Sequence, residues 1–325
     1  MHYLAEFVLF FAKTATFVIA FIICLSTFLA MSMKRNAPKG RLTIKPLNKQ
    51  LYRTIKQCQS TILQGAERRK QQKQLKQLQK QLQKKSHHRL FVLDFKGDVK
   101  ASTVNNLREE ITALLTIATP QDEILLRLES PGGLMHAYGL AASQLQRIRD
   151  KAIPFTVAVD KVAASGGYMM ACVANRIIAA PFAIIGSIGV LAQIPNFHRL
   201  LKKMNIDFEQ LSAGEYKRTL SLFGENTPKG REKMQETIEE SHELFKQFIT
   251  QQRPQIDIEA VATGEHWFAL QAQEKNLVDE CKTSDDYLLE ASQTRSIYQV
   301  TYHGTKKLTE KMASQIHALL EYLSF

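Results

Sequence analysis

The stretch Val157-Ala-Val-Asp-Lys-Val-Ala-Ala-Ser-Gly-Gly-Tyr-Met-Met-Ala-Cys172 sets a hydroxyl where covalent chemistry is practicable. An apolar strand runs into a small-residue turn, then Ser165, then Gly166 and Gly167 opening an apolar helix. Free N–H groups and the helix dipole at such a start favour developing negative charge. The two glycines allow a substrate backbone to come close. Serine at this position can equally be a plain helix cap, its commonest role there. A second turn shifts the balance: Ser130-Pro-Gly-Gly-Leu134 also joins a strand to a helix, one βα unit earlier. Sequential crossovers can set two such turns side by side at the C-terminal ends of their strands. The Gly133 N–H then faces that of Gly166 as an oxyanion hole. Backbone from Gly132 to Leu134 can pair with an extended peptide.

A nucleophilic serine needs a base. Of the nine histidines, His136 beside the SPGG turn and His198 at the head of a polar helix stay open, while His266 in TGEHW reads as a helix-start residue. Lysine serves instead if burial strips its proton from an ordinary pKa of about 10.4. Lys161, Lys202 and Lys217 are not separable by chemistry alone. Lys217, in Ser212-Ala-Gly-Glu-Tyr-Lys-Arg-Thr-Leu220, follows an expected strand and precedes an apolar patch. Cys24, Cys58, Cys172 and Cys281 form no CxxC pair and no His/Cys ligand spacing, so neither a metal nor a disulfide framework is expected. Cys172 reads as a core residue on the Ser165 helix.

The elements that must position these residues alternate. Strands are expected at 90–95, 123–129, 155–160 and 176–180, with helices at 103–118, 134–150 and 165–174. That order argues for a parallel-type sheet with crossover helices. Two further helices are expected at 227–252 and 283–292.

The net charge of +12 is confined to one segment. Residues 33–88 hold sixteen Lys/Arg against Glu67, a net of +15, leaving −3 for the rest. Basic residues concentrated in a tract with one aromatic, Tyr52, speak against nucleic-acid binding by the folded body. Residues 7–31 are apolar apart from Lys13 and a few hydroxyls, long enough to span the roughly 30 Å hydrocarbon core of a bilayer. The expected organisation is a membrane anchor at 1–32, a Gln/Lys-rich helical tether at 33–88, an α/β domain at 89–303 and an amphipathic helix at 304–325. The anchor implies contact with a lipid bilayer through residues 7–31. Lys34, Arg35, Lys39 and Arg41 follow it, and this charge bias places the body in the cytoplasm.

SPGG (130–133), DKVAASGGYMMAC (160–172), IIGSIGV (184–190) and AGEYKR (213–218) together resemble, in order, the S49 family of Ser–Lys peptidases. The resemblance covers about residues 90–300. It implies a Clp protease/crotonase-like α/β fold of repeated ββα-type units, preceded here by one transmembrane helix and the basic tether. It implies Ser165 as nucleophile, Lys217 as general base, and Gly133 with Gly166 as oxyanion donors, Gly132 lying in the same substrate-facing backbone. Ser187 falls where the family places a hydroxyl that orients the lysine. The activity implied is endopeptidase cleavage of peptide or protein substrates at the inner membrane, without metal or cofactor. Relatives with one catalytic half form rings, so the chain is expected to be a homo-oligomer whose Ser and Lys can come from neighbouring subunits. Relatives are described on the periplasmic side, against the charge bias, and the side stays open. Two other readings stand beside this one: a non-catalytic membrane scaffold, and an acyl-CoA enzyme on a crotonase-like fold.

Overall fold

The computed structural model describes residues 40–84 and 88–304, together with parts of 7–25. The expected C-terminal amphipathic helix lies outside the described residues, as does part of the expected anchor. Where described, the N-terminal stretch is helical, and among the described residues no helix is long and apolar enough to cross a membrane. Leu42–Tyr302 forms one compact unit, and residues 1–41 with 303–325 form another.

The larger unit is mixed α/β. Strands β1 (Gly40–Pro46), β2 (Arg89–Lys96), β3 (Glu123–Glu129), β4 (Phe155–Val159), β6 (Arg176–Ala179), β9 (Glu280–Cys281) and β10 (Ser296–Gly304) make a seven-stranded sheet of order β1-β10-β2-β3-β4-β6-β9. From β10 to β9 every pairing is parallel. A second sheet of three short strands holds β5 (Val162–Ala164), β7 (Ile184–Gly186) and β8 (His266–Phe268), β5 and β7 being parallel. Twice, therefore, a strand of the large sheet runs directly into one of the small sheet, β4 into β5 and β6 into β7.

The central strands are buried on both faces, which is why they read as unbroken apolar runs. On one face Leu93, Phe95, Leu126 and Val157 pack against α3 (Val104–Leu114), α4 (Met135–Asp150) and α5 (Gly166–Ala171). On the other, Leu90, Val92, Leu125 and Ile178 meet α10 (Ser284–Ala291). Each fully buried Leu or Ile contributes roughly 1.5–3 kcal/mol. α7 (Pro228–Gln252) starts where the sequence TPKG says it should: the Thr227 hydroxyl accepts from Gly230 N, and Pro228 supplies the first helical φ.

Several short strands escape the sequence reading. His266 is a strand residue, not a helix start, because β8 finds an antiparallel partner in β7. The strand expected before Lys217 is absent: residues 204–227 hold neither helix nor strand. The basic tract is two helices, α1 (Leu47–Ile62) and α2 (Gly65–Lys84), broken at Leu63 and Gln64. α1 is pinned to the body. Tyr52 is buried with its hydroxyl donating to Ser292 O, and the Asn48 side chain accepts from Ile297 N and donates to Arg295 O.

Candidate active site

Ser165 leaves β5 with φ +51° and ψ −120°, outside the regions a side-chain-bearing residue ordinarily occupies. Such a backbone costs on the order of 1–3 kcal/mol and persists only where surroundings enforce it. Here they do: Ser165 N–H donates to Gly186 O at 2.8 Å, and Ser165 O accepts from Met169 N at 3.0 Å. Ser165 makes no side-chain cap to α5, so its hydroxyl is not spent on the helix. The plain capping role is thereby excluded.

The SPGG turn lies directly against this serine. The end of β3 joins the small sheet through a parallel bridge between Ser130 and Ala163, with Ser130 N donating to Val162 O and Ala164 N to Ser130 O. Gly132 sits at φ +90°, and a Cβ there would fall 2.7–2.8 Å from Ala164 O, Gly166 N and Ser165 Cβ. Only glycine fits. Gly166 and Gly167 are equally constrained, by the Tyr138 ring and by Ser130 O. The Gly166 amide, next in chain to that serine, and the Gly133 amide, next in chain to Gly132, donate to no other group among the described residues. Gly133 is exposed and Gly166 buried.

A hydroxyl pair missed in the sequence reading braces the turn. Ser130 Oγ accepts from Gly132 N at 3.1 Å and lies 2.6 Å from Tyr138 Oη, which donates to Asp98 O at 2.8 Å. Burial pushes the Tyr138 hydroxyl pKa up, against the hydrogen bond from Ser130, so it stays a proton donor. The available signal was the serine of SPGG with a tyrosine eight residues on, in the first turn of α4.

Ser187 follows β7 as Ser165 follows β5, also at φ +51°, with its N–H held by Glu265 O. The other candidates fall elsewhere. His136 is exposed, and His198 Nδ1 lies 3.3 Å from Phe223 O. Lys161 pairs with Glu129 and Lys202 with Asp207, whose hydrogen bond holds the Lys202 pKa up and the ammonium charged. Lys217 is exposed, its side chain makes no ion pair or hydrogen bond among the described residues, and the cleft it lines does not include Ser165. It lines a cleft of about 600 Å³ with Phe208, Leu211 and Phe223. The surrounding stretch is unusually apolar for its exposure: Leu191 is 75%, Met204 59% and Leu211 97% exposed. Cys172 is wholly buried, and burial pushes its thiol pKa up to about 12.

Comparison with known proteins follows the same residues. A family model described as "Peptidase family S49 N-terminal" matches residues 2–145, and one described as "Peptidase family S49" matches 147–297. The chain is 45% identical over 331 residues to "Probable protease SohB" of Buchnera aphidicola subsp. Schizaphis graminum, covering 97% of this chain and 95% of that protein. It is 58% identical over 226 residues to "Probable protease SohB" of Haemophilus influenzae, covering 70% of this chain and 64% of that protein's length. Among solved structures, a mutant of the 1510-N membrane-bound stomatin-specific protease in complex with a substrate peptide aligns at 16% identity and a TM-score of 0.42, covering 71% of this chain and 98% of that one.

Proposed function

The chain belongs to peptidase family S49, and from that premise we propose that it is a serine endopeptidase with Ser165 as nucleophile and Lys217 as general base. The observation that carries the proposal is the enforced φ of +51° at Ser165, an uncapping serine set against a turn with two uncommitted amides. Strain of this kind at a strand-to-helix turn is how a nucleophilic hydroxyl is presented.

Ser165 Oγ attacks the scissile carbonyl while a neutral Lys217 amine takes its proton. The Gly133 and Gly166 amides receive the oxyanion, a contribution of about 2.7–4 kcal/mol per donor in comparable sites. The Lys217 ammonium then protonates the departing amine, and water hydrolyses the acyl-enzyme. Gly132 to Leu134 pairs with the substrate backbone as an added strand. Ser187, beside Ser165, orients the lysine.

Lys217 cannot act while solvated, because a hydrated ammonium keeps its proton. We therefore assign its burial to a neighbouring copy: the exposed apolar residues around it are covered in a homo-oligomer, where Lys217 of one protomer meets Ser165 of the next. Residues 7–31 anchor the chain in the inner membrane, with the charge bias favouring a cytoplasmic body. The fold is read as the Clp protease/crotonase type, strand pairs feeding a second small sheet.

The test is peptide cleavage by the detergent-solubilised full chain. Ser165→Ala and Lys217→Ala are each expected to abolish it, and unchanged cleavage in either rejects that residue's role. Mixing the two inactive variants is expected to restore part of the activity; no restoration rejects completion of the dyad between protomers.

A further inference from the structure

The α1–α2 hairpin and β10 close a cavity of about 610 Å³ on the larger unit, remote in function from the Ser165 chemistry. Four cations line it: Lys49, Arg53 and Lys56 from α1, and Lys76 from α2. Among the described residues none of the four is paired with a carboxylate, whereas about half of the cations of the α/β body are. The rest of the lining mixes apolar surface, from Leu75 on one side and Tyr52 and Tyr298 on the other, with the polar Asn48, Gln72 and Ser296. The walls are held. Tyr52 and Asn48 fix α1 to the start of β10 and the turn before it, and Gln59 Nε2 donates to Gln71 Oε1 at 2.9 Å across the hairpin.

Four uncompensated positive charges around one concavity favour a phosphate-bearing ligand. The apolar walls favour one that is also part hydrocarbon, since they gain nothing from a fully hydrated ion. A nucleic acid is a poorer fit, as the charge converges on a pocket and does not run as a stripe. The apolar stretch at 7–31 ends about fifteen residues before Pro46, a reach of at most about 50 Å. We propose that this cavity binds the headgroup of an anionic phospholipid, docking the hairpin onto the membrane surface. The proposal rests on the reading of residues 7–31 as a membrane anchor, and it assigns the basic tract a defined binding site in place of diffuse attraction.

Native mass spectrometry of the detergent-solubilised full chain tests it, with dioleoyl phosphatidylglycerol or dioleoyl phosphatidylcholine added. The expected result is one retained phosphatidylglycerol, bound at least tenfold more tightly than phosphatidylcholine. Replacing the four lining cations (Lys49→Gln, Arg53→Gln, Lys56→Gln, Lys76→Gln) is expected to remove that preference. Arg53→Gln alone is expected to weaken it about threefold. A matched variant takes the same charge from exposed positions of α2 that do not line the cavity (Arg68→Gln, Arg69→Gln, Lys70→Gln, Lys73→Gln). It is expected to change affinity less than twofold. Equal affinity for the two lipids overturns the proposal, as does equal loss in the two quadruple variants. Displacement of the lipid by inorganic phosphate at equal concentration also overturns it, in favour of a free-phosphate site. Sedimentation with vesicles is scored separately: a chain that binds phosphatidylglycerol in the cavity yet does not pellet disproves the anchor and leaves the cavity assignment standing.

Discussion

Ser165 and Ser187 stand at the same level of two neighbouring parallel strands. Ala164 pairs with Gly186, and the residue after each is a serine at φ +51°. The bond from Ser165 N to Gly186 O ties the two turns together. Two strained serines in register are a costly arrangement for packing alone, and their cost suggests the experiments that separate structure from chemistry.

Ser165→Gly is expected to raise unfolding stability by about 1 kcal/mol, since glycine adopts this backbone without strain, while abolishing cleavage. Ser165→Thr is expected to lose a comparable amount, because a β-branched residue tolerates positive φ poorly. Thermal melting beside a peptide assay reads both.

Ser187→Ala keeps a Cβ at the same φ, so stability is expected to hold within about 0.5 kcal/mol. If Ser187 orients the lysine, kcat falls roughly 10–100-fold with KM little changed. Unchanged kcat removes Ser187 from the mechanism.

Tyr138→Phe deletes the hydroxyl shared by Ser130 Oγ and Asp98 O. Leaving the buried Ser130 hydroxyl without that partner costs about 1–3 kcal/mol, while the exposed Asp98 carbonyl can turn to water. Loosening of the Gly132 turn is expected to lower kcat about tenfold through a poorer oxyanion hole. Ser130→Ala removes the acceptor of Gly132 N and should act in the same direction.

Glu110 supplies a pH signature. Burial raises its carboxyl, overcoming the bond accepted from Tyr302 N, with Asp94 adding repulsion, and its pKa reaches about 7 from 4.5. The folded chain therefore holds this proton where the unfolded chain has lost it, so the stability contribution falls as pH rises from about 4.5 to about 7. The full difference is roughly 3 kcal/mol. Glu110→Gln keeps the acceptor for Tyr302 N and should flatten the loss of melting temperature between pH 5 and 8.

Cys172 should resist alkylation in the folded protein, being buried with its thiol pKa near 12. Cys58 is exposed and should label first. Mapping of iodoacetamide adducts checks both, and rapid labelling at Cys172 would show that α5 opens.

The long apolar strands and helices were legible because burial on both faces writes itself into composition: residues 123–129 and 228–252 fall within a residue of expectation. The three-residue strands of the small sheet were not, since their pairing is decided by distant partners such as Trp267 opposite Ile185. At the site, the two glycine turns and their serine could be read from local sequence. The Ser130–Tyr138–Asp98 bracing could not, because it depends on a forty-residue separation between Tyr138 and Asp98. Lys217 belongs to a third category: it is exposed and makes no ion pair among the described residues of one chain, so the AGEYKR resemblance alone singles it out.

That last circumstance gives the apolar stretch around Leu191, Met204 and Leu211 a meaning beyond adhesion. On the proposed dyad, a protomer whose Lys217 is wet does not turn over, so specific activity should climb with enzyme concentration until assembly is complete. On that same proposal, proteolysis begins only after enough copies have gathered.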